Sequence, residues 1–328
     1  MNVLSLFDGI SCARVAIDRL GVDYTYYASE IDKYAIEIAK KNYPDTIHLG
    51  DVKSISADMF DKPIDLLIGG SPCQDLSIAK ANRNGLDGER SGLFWEYVRI
   101  WKELKPKYFV IENVNSMSKE AKRVITETMG VEPIMINASL VSAQNRKRLF
   151  WTNIPGVTLP EDRKIVVKDI LQDGIIEFEN EKWVQWLMSD SGQKRIKMGM
   201  IAINPEKALP LMARGYATWS GNYITVPLKM FHLNSGGQGD RVYSPSGKST
   251  SLSANGGGRG AKTGLYHIAN SEHGDYLIRK LTPIECERLQ SLDDGYTDGI
   301  SNAQRYKCLG NAFNVEVVRH ILSHAVFS

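Results

Sequence analysis

Apolar and polar positions alternate in two rhythms through the first half of the chain. Asn2 to Phe7 is an apolar run, a short turn Asp8-Gly9-Ile10-Ser11-Cys12 follows, and Ala13 to Leu20 carry apolar residues at helical spacing. Tyr24 to Ala28 predicts a second strand, Asp32 to Asn42 a helix, and Thr46 to His48 a short third strand. Ile64 to Ile68 and Tyr108 to Val114 are apolar enough to be buried parallel strands, and Lys119 to Met129 and Val131 to Ile136 add a further helix and strand. Repeated strand–helix units predict an α/β fold with a doubly wound, mostly parallel sheet. Near the end, Arg279 to Gln290 predicts a helix announced by Thr282 as N-cap, Pro283 at N1 and Glu285 at N3. Leu309 to Val315 opens a terminal helix through Phe327.

From Pro155 the alternation stops. Glycine clusters (Gly236-Gly237-Gln238-Gly239 and Asn255 to Gly260) separate short runs such as Tyr223 to Val226 and Leu265 to Ile268. That predicts a smaller, irregular, β-rich domain at 159–276, between a first domain at 1–158 and a segment, 277–328, that returns to it. A low-complexity linker is the alternative, but so many Trp, Tyr and Ile residues argue for a fold.

The formal charge of +2 says little, but its distribution says more: ten Lys or Arg stand against Glu206 and Asp240 between Ser191 and Lys262. A segment facing phosphates has this bias, as does a solvated loop-rich face. Cys12, Cys73, Cys286 and Cys308 make no disulfide framework, and with no CxxC pair no metal site is expected. No basic leader and no stretch of 18 apolar residues occurs, so a soluble, cytoplasmic protein is expected.

The chemistry concentrates at strand ends. Gly69-Gly70-Ser71-Pro72-Cys73-Gln74-Asp75-Leu76-Ser77 places a thiol at the carboxyl end of a buried strand, where open α/β sheets bind ligands. Gly69 and Gly70 are expected to permit a tight turn, and the polar loop to Gly92 is long enough for a lid. Glu112 ends the next apolar run. If the two runs are neighbours, Cys73 and Glu112 emerge side by side as nucleophile and acid.

Glu30 follows the second strand, where an acid can accept from both hydroxyls of a ribose. Asp51 could meet an adenine amino group or merely cap a turn. A single glycine, Gly9, in the first turn favours a nucleoside without phosphates over a pyrophosphate. Arg146 and Arg148, two apart, share one strand face and suit an anion or a base carbonyl, unless they are surface arginines on an edge strand. Gly310-Asn311 before a helix suits a carboxylate.

These residues carry a resemblance. Leu6-Phe7-Asp8-Gly9, Glu30, Asp51, Pro72-Cys73-Gln74, Glu112-Asn113-Val114, Gln144-Asn145-Arg146-Lys147-Arg148, Arg279 to Pro283 and Gly310-Asn311 resemble, in order and spacing, the motifs of bacterial and phage DNA (cytosine-5)-methyltransferases. Ser11 stands at that family's usual second glycine, and Ala312 where Ser is commoner. Asp8 and the run Gln74 to Ser77 also resemble the vertebrate de novo enzymes.

The resemblance implies S-adenosyl-L-methionine held by Phe7, Asp8, Gly9, Ile10, Ser11, Glu30, Ile31, Asp51, Val52, Pro72, Asn311 and Ala312. It implies double-stranded DNA as partner, contacted by Ser77, Arg83, Arg90, Gln144, Arg241, Lys248, Arg259 and Lys262. Region 159–276 lies where the family keeps its target recognition domain. The chain is expected to be a monomer, and any cognate restriction endonuclease would be a separate protein.

The implied mechanism begins with Cys73 attacking carbon 6 of a flipped cytosine. Protonated Glu112 holds N3 and the 4-amino group, Arg148 and more loosely Arg146 hold O2 and the carboxylate, and carbon 5 takes the methyl group. The arginine pair can also lower the Cys73 pKa. Three rivals fit less well. A tRNA cytosine methyltransferase is expected to carry Cys-Phe-Thr, which does not occur here; a non-catalytic relative would lack the nucleophile or a cofactor acid. A nucleotide-dependent oxidoreductase would need more glycines after the first strand.

Overall fold

The apolar runs line up as one seven-stranded sheet. The computed structural model describes residues 1–70, 93–172, 186, 189–203, 205–211, 221–227, 231–232, 241–243, 265–266 and 276–326. Its first part runs β1 (Asn2–Leu6), α1 (Cys12–Asp18), β2 (Thr25–Ser29), α2 (Lys33–Asn42), β3 (Ile47–His48), β4 (Leu66–Gly70), α3 (Leu93–Leu104), β5 (Tyr108–Val114), α4 (Lys119–Met129), β6 (Ile134–Asn137) and β7 (Lys147–Thr152). The strand order is β3-β2-β1-β4-β5-β7-β6, with β7 antiparallel to both neighbours and the other pairs parallel. Strands β1 and β4 are covered on both faces, which is why they read as unbroken apolar runs rather than alternating ones. Leu4, Leu6, Leu67, Phe94, Ile111 and Trp151 belong to the core between this sheet and its helices.

Strand β4 lies further along than the apolar run Ile64 to Ile68 suggests, so Gly69 and Gly70 are strand residues rather than a turn. Glycine is needed there for close approach: a Cβ on Gly69 would stand 2.8 Å from the Leu6 carbonyl oxygen of the neighbouring strand. The arginine-bearing strand β7 is not an edge strand, because β6 lies outside it.

Contacts divide the chain into two units: residues 1–172, 206–219 and 282–328, and residues 173–205 and 220–281. The second contains α5 (Asp190–Lys197), β8 (Ile201–Ile203), β9 (Gly221–Pro227), β10 (Phe231–His232), β11 (Arg241–Tyr243), β12 (Leu265–Tyr266) and β13 (Tyr276–Lys280). These strands form two small sheets, β13-β9-β8 and β10-β11-β12, and buried Ile201 and Tyr223 make a minor core with Trp186 and Ile196.

In the first unit the chain ends with α6 (Pro283–Leu289), α7 (Asn302–Asn311) and α8 (Val315–Leu322). Helix α6 has its capping box: the Glu285 N–H donates to the Thr282 hydroxyl, and the Thr282 N–H donates to the Glu285 carboxylate. The single terminal helix expected from Leu309 through Phe327 is instead two. Extended backbone at Ala312 and Asn314 interrupts it, and the Asn314 side chain caps α8 by accepting from the Val317 N–H. Gly310 and Asn311 therefore end a helix rather than precede one. Among the described residues no helix is long and apolar enough to cross a membrane.

Helix α8 packs on α1, and Glu316 joins them. Its carboxylate accepts from Arg19 at 2.9 Å, Arg163 at 2.7 Å and Arg319 at 2.9 Å. Burial works to raise the Glu316 carboxyl, but the three guanidinium groups outweigh it and hold the group below the usual carboxylate value. A depressed native value means the contribution is complete at neutral pH and is lost as pH falls through it. Glu316→Gln should therefore cost roughly 1–3 kcal/mol at neutral pH, the half-exposed arginines being screened, and almost nothing in strong acid. Melting temperatures of both chains across that range should converge at low pH; parallel curves would refute the assignment.

Candidate active site

Parallel pairing of β4 and β5 sets Gly70 opposite Glu112. Glu112 is thereby near the carboxyl end of its strand, level with Gly70, which precedes Cys73 by three residues in the sequence. Cys73, Pro72, Ser77, Arg83 and Arg90 lie outside the described residues. On the other side, β7 runs antiparallel, and Arg148 Nε donates to Glu112 Oε1 at 2.7 Å, both side chains being under a fifth exposed. Arg146, Arg148 and Phe150 share one strand face and with Glu112, Phe313 and Val317 line a recess. The two arginines do different things there. Buried Arg146 donates to the carbonyls of Ala312 (2.9 Å), Gly310 and Leu211, and so clamps the break between α7 and α8.

Phe313 was not a candidate from sequence, and it forms a wall of this recess. A Cβ added at Gly70 would lie 2.9 Å from its ring and 3.0 Å from Glu112 Oε2. Gly70→Ala should thus displace the carboxylate by a few tenths of an ångström or more, cutting kcat roughly 10–100-fold. Gly69→Ala meets backbone instead and should chiefly lower stability. Steady-state kinetics beside thermal melts separate the two, and equal melts with equal kcat would refute both.

The turn after β1 is tied to the end of β2. The Asp8 N–H donates to the Ser29 carbonyl, and the Gly9 N–H donates to Glu30 Oε2 at 2.8 Å. Glu30 Oε1 accepts from the Ile31 and Asp32 N–H groups, both at 2.8 Å. A carboxylate offers about four acceptor sites, so one remains, on Oε2. Ile31, 72 % exposed, presents an apolar side chain beside it.

Three residues of the turn have positive φ: Phe7 (56°), Gly9 (61°) and Ser11 (62°). Nothing lies within 4 Å of where a Cβ of Gly9 would project, leaving the space over the turn open. Ser11 keeps the left-handed backbone a glycine would adopt freely, at roughly 1–2 kcal/mol. Its hydroxyl does not cap α1 but donates to Asp8 Oδ2 at 2.6 Å, an interaction of roughly 1–3 kcal/mol that offsets the strain. Ile10 is buried, and its carbonyl accepts from the Tyr296 hydroxyl at 2.7 Å.

The remaining candidates are scattered. Asp51 is exposed and caps a short 3-10 turn, its Oδ1 accepting from the Lys53 N–H, and Val52 is buried in the core. Asn311 is exposed and Ala312 buried. Gln144 is fully buried, and among the described residues neither its side-chain nitrogen nor its oxygen has a partner. Arg241 begins β11 in the second unit, while Lys248, Arg259 and Lys262 lie outside the described residues. Of the cysteines, Cys12, Cys286 and Cys308 are buried, and burial pushes all three thiols up, Cys308 to about 12. None of these three offers a thiolate near neutral pH. Sequence patterning missed Phe313 and Tyr296; the one signal for Phe313 is its nearness to Gly310-Asn311.

Known proteins resemble this chain along nearly its whole length. The orphan methyltransferase M.SPRI of Bacillus phage SPR is 27 % identical, with 99 % of this chain and 97 % of the relative covered. The type II methyltransferase M.HhaI of Haemophilus parahaemolyticus is 29 % identical over 98 % of this chain and 93 % of its own. Among solved structures, the Entamoeba histolytica methyltransferase EhMeth has the same fold, with a TM-score of 0.69 at 16 % identity over 99 % of this chain and 97 % of that one. A family described as C-5 cytosine-specific DNA methylase matches residues 1–326, and with nearly the whole chain inside that match, the protein belongs to the C-5 cytosine-specific DNA methylases.

Proposed function

We propose that this chain methylates carbon 5 of a cytosine swung out of duplex DNA at a short specific sequence, with Cys73 as nucleophile and Glu112 as the acid that holds the ring. The observation that carries the reading is the β4–β5 register, which brings Gly70, three residues before Cys73, opposite Glu112 with Arg148 at 2.7 Å. The high thiol values of Cys12, Cys286 and Cys308 support it by leaving Cys73 as the available sulfur.

Carbon 5 of cytosine is a poor nucleophile. A Cys73 thiolate bonding to carbon 6 pushes the ring electrons to carbon 5, and a proton at N3 from Glu112 neutralises the charge that develops. Arg148, fixed on Glu112 Oε1, orients that carboxyl and stands within reach of a base carbonyl. Arg146 supports the wall through the Gly310 and Ala312 carbonyls. Once carbon 5 carries the methyl group, water takes the carbon 5 proton and the electrons of that C–H bond re-form the ring double bond. The carbon 6–sulfur bond breaks to return the Cys73 thiolate, and N3 gives its proton back to Glu112.

The residues at the other strand ends fit S-adenosyl-L-methionine. Glu30 keeps an acceptor site for a ribose hydroxyl, exposed Ile31 offers an apolar face for a base, and the space above Gly9 is open. When bound, that cofactor supplies the methyl group. The surplus of Lys and Arg between Ser191 and Lys262 supports contact with DNA, the second unit serving as target recognition domain. Phage and bacterial relatives support action in the cytoplasm of a bacterial or phage-infected cell.

The test is trapping on duplex DNA containing 5-fluorocytosine, with S-adenosylmethionine present. Fluorine cannot leave as a proton does, so the enzyme should remain attached in denaturant, and Cys73→Ser should not. An adduct on RNA but not on duplex DNA would overturn the substrate; no adduct on either would overturn the mechanism.

A further inference from the structure

The cofactor turn of this chain is built with a lock. Asp8 is buried, and both of its carboxylate oxygens are engaged: Oδ1 accepts from the Tyr26 hydroxyl at 2.7 Å and Oδ2 from the Ser11 hydroxyl at 2.6 Å. Its main chain is engaged as well, the N–H with the Ser29 carbonyl and the carbonyl with the Ser11 N–H. One residue thus grips the end of β2, the inner face of β2 and the start of α1.

The grip matters because of what stands at Ser11. An L-residue with φ of 62° leaves that conformation readily unless something holds its side chain, whereas glycine needs no such hold. Between Asp8 and Ser11 lies Gly9, whose N–H fixes Glu30 Oε2. If Ser11 relaxed toward ordinary helical φ, the turn would rewind, the Gly9 N–H would swing, and Glu30 would lose one of its three donors. Burial raises the Asp8 carboxyl above its usual value, against the pull of the surrounding hydroxyls, so the group persists inside only because those hydroxyls satisfy it.

We infer that Asp8 is a positioning residue for cofactor binding: it holds Ser11 left-handed through the hydroxyl bond, and thereby holds Gly9 and Glu30 where a nucleoside is gripped. The inference rests on the reading of this turn as the S-adenosylmethionine site. It makes Asp8 and Ser11 a matched pair, so that the need for the acid exists because serine replaces glycine.

The experiment is a double-mutant cycle read by calorimetric titration of S-adenosylhomocysteine into wild type, Asp8→Ala, Ser11→Gly and the double variant, with ligand-free melts beside it. The quantity read is the ratio of affinities with and without Asp8 in each background. With serine present, losing Asp8 should weaken binding roughly tenfold or more; with Ser11→Gly the ratio should fall to within about twofold. Melting temperature should drop on losing Asp8 in both backgrounds, because a merely structural role would act in both. Should Asp8→Ala fail to fold, Tyr26→Phe frees one carboxylate oxygen without opening a cavity and should show the same dependence on Ser11 at smaller size. Equal affinity ratios in the two backgrounds would overturn the pairing. A folded wild type that binds no S-adenosylhomocysteine would overturn the cofactor reading itself.

Discussion

Glu112→Gln will slow methylation roughly 10²–10⁴-fold, while its melting temperature stays close to that of the parent chain. Glutamine is nearly isosteric and keeps a carbonyl oxygen for Arg148 Nε, so the contact now made at 2.7 Å survives in weaker form. What it lacks is a transferable proton. It can hold N3 of a bound cytosine but cannot neutralise the ring as the Cys73–carbon 6 bond forms. The adduct with 5-fluorocytosine should therefore still appear, slowly, in contrast to Cys73→Ser, which forms none. Single-turnover rates with saturating DNA separate this from a binding defect, and a rate within threefold of the parent chain would remove Glu112 from the mechanism.

Glu287→Ala will lower stability by roughly 3–5 kcal/mol, which for a chain of this size moves the melting temperature by on the order of 10 °C. Glu287 is fully buried, and its carboxylate accepts from the Gly295 N–H at 2.7 Å, the Thr297 N–H at 2.8 Å, the Thr297 hydroxyl and Arg305 at 2.8 Å. Truncation leaves two backbone donors unsatisfied and removes the buried carboxylate from a guanidinium that keeps half-exposed Asp298 and the Thr297 hydroxyl. The damage should also reach the cofactor turn, because the segment that Glu287 organises carries Tyr296, whose hydroxyl holds the Ile10 carbonyl. Calorimetric melts would decide: a shift under about 2 °C would mean that water replaces the carboxylate at little cost.

The path from sequence to fold was clearest where one local signal sufficed. The runs ending at Gly70 and Glu112 are apolar throughout because both faces of those strands are covered, and that signature survives without tertiary information. Thr282, Pro283 and Glu285 announce a helix start by side-chain chemistry alone, and the capping box is there. The break at Ala312 to Asn314 was harder to see, since Asn314 as an N-cap looks like any asparagine inside an amphipathic run. Arg146 and Arg148 share a face as their spacing implies, but no spacing rule distinguishes a guanidinium that meets Glu112 from one that meets the Ala312 carbonyl. The Ser11 backbone was equally hidden: nothing in the spacing of Asp8 and Ser11 shows that this serine takes the left-handed conformation and bonds its hydroxyl to the Asp8 carboxylate.

The bond between Arg19 and Glu316 joins residues 297 apart, and Phe313, Asn314 and Val317 complete a recess whose other walls come from the first half of the chain. Synthesis from the amino terminus therefore delivers Glu112 and Arg148 well before Phe313, which closes the recess they line. A ribosome-bound chain not yet extended to Gly310 lacks the Gly310 and Ala312 carbonyls for Arg146 and the Phe313 ring beside Gly70. A copy ending before Gly310 is therefore expected to show no methyl transfer, which an activity assay on such a truncation checks.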